Sequence, residues 1–237
     1  MKNNSIHSTL INYLKDNPDI IWAFDLDDTI AQTQRKVLEK VNSLEKTSSI
    51  LKEKGLYPLK YEDVKDFFFY KKIFGEEITL ELFSFEGLYN ENLELQDGIE
   101  DLIQFISDNF GKDKIKVVTA SFDGVEEAKD DYIINKLGLE KSQIIHATDK
   151  YPHVSKSIYF DDGFHNFKSV LDCDETVKIC METPWNKTQR DNTDKIDYSI
   201  KNFNEFLDIL KEIMPHVRKK HKIKKSRVKT KKSNLKV

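Results

Sequence analysis

Short apolar runs alternate along this chain with segments whose apolar residues recur at helical spacing. The run at 20–24 is continuous and ends abruptly at Asp25, which is typical of a strand buried on both faces of a parallel sheet. Comparable runs predict four further strands, at 115–120, 143–147, 157–160 and 177–181.

Helical patterns separate most of these runs. Pro18 is expected to end the first helix and Gly138 to cap the third. Strands that alternate with helices form parallel sheets joined by right-handed crossovers, so the chain is predicted to be an α/β protein. The predicted helices lie at 6–14, 99–106, 124–137 and 203–214.

The segment from 33 to 95 interrupts this alternation. It contains no clear buried strand, a helical apolar stripe starts at Val37, and residues 61–74 are rich in aromatic side chains. We interpret it as a mostly helical insertion between the first and second strands. The predicted organisation is a core at 1–32 and 96–215, an inserted helical unit at 33–95, and a tail at 216–237.

Charge is distributed unevenly between the body of the chain and its end. The sequence has 38 Lys and Arg against 41 Asp and Glu, a net charge of −3, and eleven of the basic residues lie at 218–237. The rest of the chain therefore carries 27 basic and 41 acidic side chains, a net charge of −14. The simplest interpretation of the basic tail is a solvated extension that is disordered or a frayed helix. It could also contact the phosphates of nucleic acid, act as a nuclear-targeting-like patch, or bind the acidic body of this chain.

Composition excludes several classes of protein. At 38% hydrophobic residues the chain can bury a core, so wholesale disorder is not expected. No run approaches about 18 consecutive apolar residues, so we expect no membrane span. The polar N-terminus argues against a secretory signal, and the two cysteines argue against a disulfide framework. These features predict a cytoplasmic protein.

Acidic residues follow two of the predicted strands directly. Asp25, Asp27 and Asp28 come after the first strand, and Asp161 and Asp162 come after the fourth. Ligands of open parallel sheets bind beyond the carboxyl ends of the strands, so these carboxylates are expected to converge. Close carboxylates repel one another unless a cation neutralises them, and an all-oxygen set favours Mg²⁺. We therefore predict a magnesium site.

The strand at 115–120 ends in hydrogen-bond donors rather than in charge. Thr119 and the backbone beside it, at Ala120, can donate to a phosphate oxygen. A phosphate near several carboxylates also needs a cationic partner, and both Lys150 and Lys156 precede Asp161 closely. We assign this role to Lys150 and keep Lys156 as the alternative.

Taken in order, these motifs resemble those of the haloacid dehalogenase-like (HAD) phosphohydrolases. FDLDDT at 24–29 resembles their first motif, VVT at 117–119 their second, and IYFDD at 158–162 their fourth. The resemblance implies a Rossmann-like core with a C1-type helical cap inserted after the first strand. Within the superfamily the chain looks most like the 5′(3′)-deoxyribonucleotidases, through the short segments DG at 97–98, DK at 149–150 and PWN at 184–186.

The resemblance also implies a mechanism. Asp25 would attack phosphorus and form an aspartyl-phosphate, and Asp27 would protonate the leaving oxygen and later activate water. Mg²⁺ would be held by Asp25, Asp161 and the backbone carbonyl of Asp27. The remaining implied roles are binding of phosphate oxygens by Thr119, Ala120 and Lys150, and orientation of Lys150 or a metal-bound water by Asp162.

The activity that follows is a Mg²⁺-dependent phosphomonoesterase acting on nucleoside monophosphates, with 5′(3′)-deoxyribonucleotides as the expected substrates. The aromatic run at 67–70 could stack on a base, although large side chains also build the core of a small cap. Two alternatives stay open: a polynucleotide 3′-end phosphatase anchored by the basic tail, and a non-catalytic module that binds nucleic acid. No P-loop sequence occurs, so no attached kinase activity is expected.

Overall fold

A six-stranded sheet, in which all neighbouring strands are parallel, forms the centre of the protein. The computed structural model describes residues 2–233, with side chains described for 7–218. The order across the sheet is β3-β2-β1-β4-β5-β6, so the first strand lies between the second and the fourth. In chain order the strands are β1 (Ile21–Phe24), β2 (Ile115–Thr119), β3 (Ile144–His146), β4 (Ser157–Asp161), β5 (Val177–Met181) and β6 (Tyr198–Ile200).

The helices within residues 2–233 fall into two groups. Those inserted between β1 and β2 are α2 (Thr33–Ser43), α3 (Glu45–Glu53), α4 (Phe69–Phe74) and α5 (Glu76–Ser84). The helices of the sheet-containing core are α1 (Lys2–Asp16), α6 (Ile99–Phe110), α7 (Glu126–Leu137), α8 (Tyr151–Val154), α9 (Phe164–Phe167), α10 (Lys187–Asp191) and α11 (Phe203–Ser233). The predicted α/β fold, with a parallel sheet and a helical insertion after the first strand, is confirmed.

Both faces of the sheet are buried. Successive residues of a strand point to opposite sides, so each strand contributes side chains to apolar clusters on both faces. Trp22 and Phe24 of β1 belong to the larger apolar cluster, to which α1, α6 and α11 contribute, whereas Ala23 belongs to the cluster on the other face. Phe24 stacks on Phe160 of β4 with ring centroids 4.5 Å apart, and Phe206 packs edge-on against Phe160 at 5.2 Å. This double burial explains why β1 is a continuous apolar run in the sequence.

Four of the five predicted strands differ from the observed ones by a single residue at one or both ends, and the fifth matches its predicted bounds. The sixth strand was not predicted. It is three residues long and has exposed Ser199 at its centre, so it offers too little apolar pattern to be recognised. It forms because β5 provides an open edge, where Cys180 pairs with Ser199.

Helix α11 continues well past its predicted end at 214. Pro215 predicts a stop because proline cannot donate an intrahelical hydrogen bond, yet it lies inside the helix. Buried Met214 and Val217 hold this part of the helix on the core. The tail predicted at 216–237 therefore begins within α11, and its side chains from 219 onward lie outside the described ones. Despite the length of α11, no helix within residues 2–233 is long and apolar enough to cross a membrane.

The inserted helices pack around an apolar core of their own. Val37, Leu51 and Tyr70 are among its buried members, and Trp185, which follows β5, packs into the same cluster. A residue of the sheet-containing core thereby contributes to the core of the cap. The cap is anchored over the carboxyl ends of the strands by this contact.

Replacing Phe160 by alanine should lower the free energy of unfolding by about 3–5 kcal/mol, because a large buried ring is lost from the centre of the aromatic stack. Urea unfolding followed by circular dichroism would measure the change. Leu80→Ala serves as the control, since Leu80 is 45% exposed and its loss should cost about 0.5 kcal/mol or less. A loss for Phe160→Ala no larger than that of the control would contradict the assigned core.

Candidate active site

Three buried carboxylates meet where β1 and β4 end side by side. Asp25 follows β1 directly, Asp161 ends β4, and Asp162 comes next. One oxygen from each lies within 4.8 Å of the others, an arrangement that could hold a metal ion. The register of the sheet produces this meeting, because Phe24 pairs with Phe160 one residue earlier in both strands.

The loop after β1 is fixed by backbone hydrogen bonds. The carbonyl of Leu26 accepts the N–H groups of Ile30 and Ala31, both at 2.9 Å. Asp28 adopts a left-handed φ of 55°, which Asp tolerates better than most residues, and its Oδ1 accepts the backbone N–H of Gln34 at 2.8 Å. This tight turn holds the carboxylates of the first motif at the edge of the sheet.

Lys150 bridges two of the three carboxylates. Its Nζ lies 2.7 Å from Oδ1 of Asp25 and 3.0 Å from Oδ2 of Asp161, and 3% of its side chain is exposed. The alternative, Lys156, forms an ion pair with Glu175 and is 69% exposed. The structure therefore brings Lys150 to the carboxylates and places Lys156 on the surface.

The carboxylate of Asp161 accepts several hydrogen bonds. Its Oδ1 accepts the backbone N–H of Gly163 at 2.7 Å, and the amide of Asn166 donates to both of its oxygens at 3.0 Å. The hydroxyl of Tyr159, two residues earlier in β4, also donates to it. These bonds fix the orientation of the carboxylate that Lys150 contacts.

Burial gives the site unusual acid–base properties. It raises the pKa of Asp25 to about 7; the charge of Lys150 lowers this pKa, and neighbouring carboxylates raise it. Burial, followed by the charge of Asp28, also raises the pKa of Asp162 well above its ordinary value. Burial disfavours the charged form of Lys150, but Asp161 and Asp25 outweigh it and raise the pKa of this lysine. Ionisation of Asp25 and Asp162 is thus unfavourable in this structure, and a bound cation would relieve this cost.

Asp162 contacts a different set of partners from Lys150. The indole Nε1 of Trp185 donates to its Oδ2 at 2.8 Å, and the hydroxyl of Thr29 lies 3.5 Å from its Oδ1. The side chain of Asn186 donates to its backbone carbonyl at 2.8 Å. The segment PWN at 184–186 therefore fixes the position of Asp162. The predicted orientation of Lys150 or a metal-bound water by Asp162 stays a prediction.

Asp27 is bound through both of its oxygens. Oδ1 accepts the hydroxyls of Tyr89 at 2.6 Å and Thr33 at 2.8 Å, and Oδ2 lies 2.7 Å from Nζ of Lys129. Burial alone would raise the pKa of Asp27. The charge and hydrogen bond of Lys129 and the bonds from Tyr89 and Thr33 outweigh it, so this pKa lies below its ordinary value.

Lys129, on α7, was missed by the sequence analysis. Its side chain is 4% exposed, and its Nζ also donates to Oγ1 of Thr119 at 3.1 Å and to the carbonyl of Ala120 at 2.5 Å. A signal was present, because Lys129 lies four residues before buried Ile133 of α7 and four residues after buried Val125, which directly precedes the helix. A lysine on the apolar stripe of a helix needs a buried partner.

Thr119 and Ala120, the predicted phosphate-binding positions, lie at the end of β2 beside β1. The hydroxyl of Thr119 donates to the carbonyl of Ala120 at 3.2 Å. Nearby, Ser121 Oγ lies 2.7 Å from Nδ1 of His146, whose Nε2 lies 2.9 Å from Asp130. Hydrogen bonds therefore fix the polar groups that follow β2.

A cavity of about 490 Å³ opens above the carboxylates, between the cap and the core. Asp25, Asp27 and Lys150 line one part of it. Three exposed rings line another part: Phe67 and Phe68 from the cap and Phe122 from the core, which are 49%, 57% and 49% exposed. The imidazole of His165 packs on Phe67 with ring centroids 4.1 Å apart. The lining of the cavity thus combines charged groups with aromatic rings.

Solved structures with a similar fold are known, although sequence comparisons find no match. No family model matches the sequence, and no curated protein matches it. A HAD hydrolase of family IA, variant 3, from Entamoeba histolytica HM-1:IMSS is 15% identical over 82% of this chain and 99% of that chain, with a TM-score of 0.54. A Bacteroides vulgatus protein named as a β-phosphoglucomutase is 12% identical over 89% and 98% of the two chains, with a TM-score of 0.52. The chain therefore has the fold of the HAD hydrolases, and the deoxyribonucleotidase subgroup stays a prediction.

Asp25→Asn should stabilise the metal-free protein more at pH 8 than at pH 5. The folded-state pKa of Asp25, about 7, lies above its ordinary value of 3.8, so the contribution of this carboxyl to stability is lost as the pH rises from about 4 to about 7. Asparagine cannot ionise and avoids that loss. Thermal unfolding in EDTA should show a melting temperature at pH 8 raised by at least about 2–4 °C, the effect of about 1 kcal/mol in a domain of this size.

The control for this prediction is Asp174→Asn, which removes an exposed carboxylate. It should change the melting temperature little and equally at both pH values. An equal effect of Asp25→Asn at pH 5 and pH 8 would show that burial does not raise the pKa of this carboxyl.

Proposed function

We propose that this protein is a phosphomonoesterase that releases phosphate from nucleoside monophosphates, with 5′(3′)-deoxyribonucleotides as the preferred class. The observation that carries the proposal is the position of Asp25. It is buried, it is paired with Lys150, and it lies beside two further carboxylates in a cavity that exposed aromatic rings also line. The charged groups of this lining suit a phosphate and its rings suit a base.

We propose Mg²⁺ as the cofactor. The residues fit the ion because Asp25, Asp161 and Asp162 offer three buried carboxylate oxygens, and burial raises the pKa of two of these groups. Oxygen donors of this kind suit Mg²⁺. Asp25, Asp161 and the backbone carbonyl of Asp27 would hold the ion, with Asp162 beside them. When bound, Mg²⁺ neutralises negative charge on the transferring phosphoryl group.

In the proposed reaction, an Oδ of Asp25 attacks phosphorus and the bond from phosphorus to the ester oxygen breaks. Asp27 is ionised beside Lys129, so it must first take up a proton. It then gives this proton to the ester oxygen, and the nucleoside leaves as an alcohol. Water then attacks the aspartyl-phosphate, losing a proton to Asp27, which frees Asp25 and releases inorganic phosphate. Lys150 and Thr119 bind the phosphate oxygens, and the 2.7 Å contact of Lys150 with Asp25 places its charge beside the nucleophile.

The aromatic rings that line the cavity support a nucleotide rather than a small sugar phosphate. Phe67 and Phe68 come from the cap and Phe122 comes from the loop after β2, so a planar ligand can contact rings from both units. Stacking of a base on an aromatic side chain contributes about 1–3 kcal/mol and tolerates different bases. Exposure of such rings to water is unfavourable unless a ligand covers them.

The double substitution Phe67→Ala/Phe68→Ala should lower kcat/KM for a deoxynucleoside monophosphate by about 10-fold or more, since stacking energy of about 1–3 kcal/mol is lost. The same variant should hydrolyse a simple alkyl phosphate at the wild-type rate, because that substrate has no base. Steady-state kinetics with both substrates measures the difference, and Leu80→Ala is the exposed control in the same cap. Equal losses on both substrates would argue against a base-binding surface.

Phosphate release from a substrate panel tests the activity itself. The panel contains 5′- and 3′-deoxynucleotides, ribonucleotides, a sugar phosphate and a 3′-phosphorylated oligonucleotide, with Mg²⁺ and with EDTA. Asp25→Asn is the blank. We expect Mg²⁺-dependent release from deoxynucleotides, abolished in the blank, whereas release from none of the substrates would refute the proposal.

The same substrate panel tests whether the basic tail is needed for turnover. A chain ending at Arg218 keeps buried Val217 and the hydrogen bond of Arg218 to Asn109, so its core should stay intact. Mononucleotide turnover should be unchanged by this truncation. Turnover confined to the oligonucleotide and lost with the tail would favour a polynucleotide-end phosphatase instead, through salt-sensitive phosphate contacts.

A further inference from the structure

The hydroxyl of Ser121 belongs to a chain of hydrogen bonds that the proposed reaction does not use. Its Oγ lies 2.7 Å from Nδ1 of His146, and Nε2 of His146 lies 2.9 Å from Oδ1 of Asp130. The three residues come from the loop after β2, the end of β3 and helix α7. Of these three, only Ser121 lines the cavity above the carboxylates. The chain of hydrogen bonds therefore reaches the cavity at Ser121.

The ionisation of Asp130 sets the direction of these hydrogen bonds. Burial alone would raise the pKa of Asp130, but its hydrogen bonds with His146 and Lys141 outweigh burial and hold this pKa below its ordinary value. An ionised carboxylate can only accept, so Nε2 of His146 carries the proton of its bond to Asp130. In the neutral ring Nδ1 is then an acceptor, and the hydroxyl of Ser121 donates to it.

The oxygen of Ser121 consequently keeps its acceptor capacity for a ligand. A hydroxyl has one proton and two lone pairs, and here the proton is directed at His146. Such an oxygen can accept a hydrogen bond from a hydroxyl group of a ligand. An ionised phosphate oxygen, which only accepts, cannot bond to it. Ser121 therefore suits a part of the substrate that carries a hydrogen-bond donor.

The position of Ser121 along the chain indicates which part of a nucleotide this is. Thr119 and Ala120, the predicted phosphate-binding positions, directly precede it, and the exposed ring of Phe122 follows it and lines the same cavity. In a nucleotide the sugar joins the phosphate to the base. A residue between a phosphate contact and a stacking ring is placed to meet the sugar, whose hydroxyl groups can donate hydrogen bonds.

We propose that Ser121 determines specificity for the sugar by accepting a hydrogen bond from the 3′-hydroxyl of a deoxynucleoside 5′-monophosphate. His146 is a positioning residue that fixes the direction of the Ser121 hydroxyl, and Asp130 fixes His146 in turn. This assignment rests on the function proposed above. None of the three residues forms or breaks a covalent bond in the reaction.

A substrate that lacks the sugar hydroxyl tests the contact. We would measure kcat/KM at pH 8, where a histidine ring is ordinarily neutral, for a deoxynucleoside 5′-monophosphate and for its 2′,3′-dideoxy analogue. The wild-type protein should favour the deoxynucleotide by about 5- to 10-fold, the effect of one hydrogen bond between neutral groups. In Ser121→Ala the value for the deoxynucleotide should fall to that of the analogue, which should itself stay within about 2-fold of its wild-type value.

Variants of His146 test its positioning role. His146→Leu removes the acceptor of the Ser121 proton, so the hydroxyl can rotate and the preference should fall below about 2-fold. His146→Asn, whose side-chain oxygen can replace Nδ1 as the acceptor, should restore most of the preference. Ser199→Ala, at an exposed serine of β6, is the control and should leave both values unchanged. Circular dichroism would establish that each variant is folded.

The outcomes separate this assignment from the proposed function. Equal losses on both substrates in Ser121→Ala, or a preference that survives in this variant, would overturn the sugar contact while leaving the phosphatase activity in place. The absence of any preference in the wild-type protein would do the same. A preference that persists in His146→Leu would overturn the positioning role. No phosphate release from either substrate by the wild-type protein would overturn the proposed function and this assignment with it.

Discussion

Repulsion among buried carboxylates at the ends of β1 and β4 is the constraint on which the rest of the site depends. Asp25, Asp161 and Asp162 are held together out of water, where like charges are costly. Each is restrained by a donor: Lys150 lies against the first two, and Trp185 donates to the third. Despite these donors, burial and the neighbouring carboxylates raise the pKa values of Asp25 and Asp162. A bound cation would relieve the repulsion that opposes their ionisation.

The cap is linked to the carboxyl groups of the site by two aromatic side chains. Trp185 binds Asp162 and packs into the apolar cluster of the cap, and Tyr89 binds Asp27 next to the end of the cap. The cap therefore contacts Asp27 directly and packs against the residue that binds Asp162, while its exposed rings, Phe67 and Phe68, line the cavity. The cap thus contributes both to the placement of the carboxyl groups and to the lining of the cavity.

Most of the fold could be predicted because its signals are local. A strand buried on both faces is a continuous apolar run, as at 20–24, and a helix terminated by Gly138 in a left-handed conformation is marked by that glycine. The exceptions are informative. Strand β6 forms at the open edge of β5 with hardly any pattern of its own, and α11 continues through Pro215 because Met214 and Val217 are buried beside it. In both cases tertiary contacts override the local signal.

For the site, the sequence by itself determined which residues follow the strands: Asp25, Asp27, Thr119, Asp161 and Asp162, all brought to one edge by parallel pairing. It left open which lysine joins them, and it contained no motif for Lys129. Only the tertiary structure decided these points, because an ion pair depends on which side chains meet in space. Lys150 and Lys156 are six residues apart, yet one is buried between two carboxylates and the other lies in water. Lys129 reaches Asp27 across 102 residues of chain, a distance over which no local pattern extends.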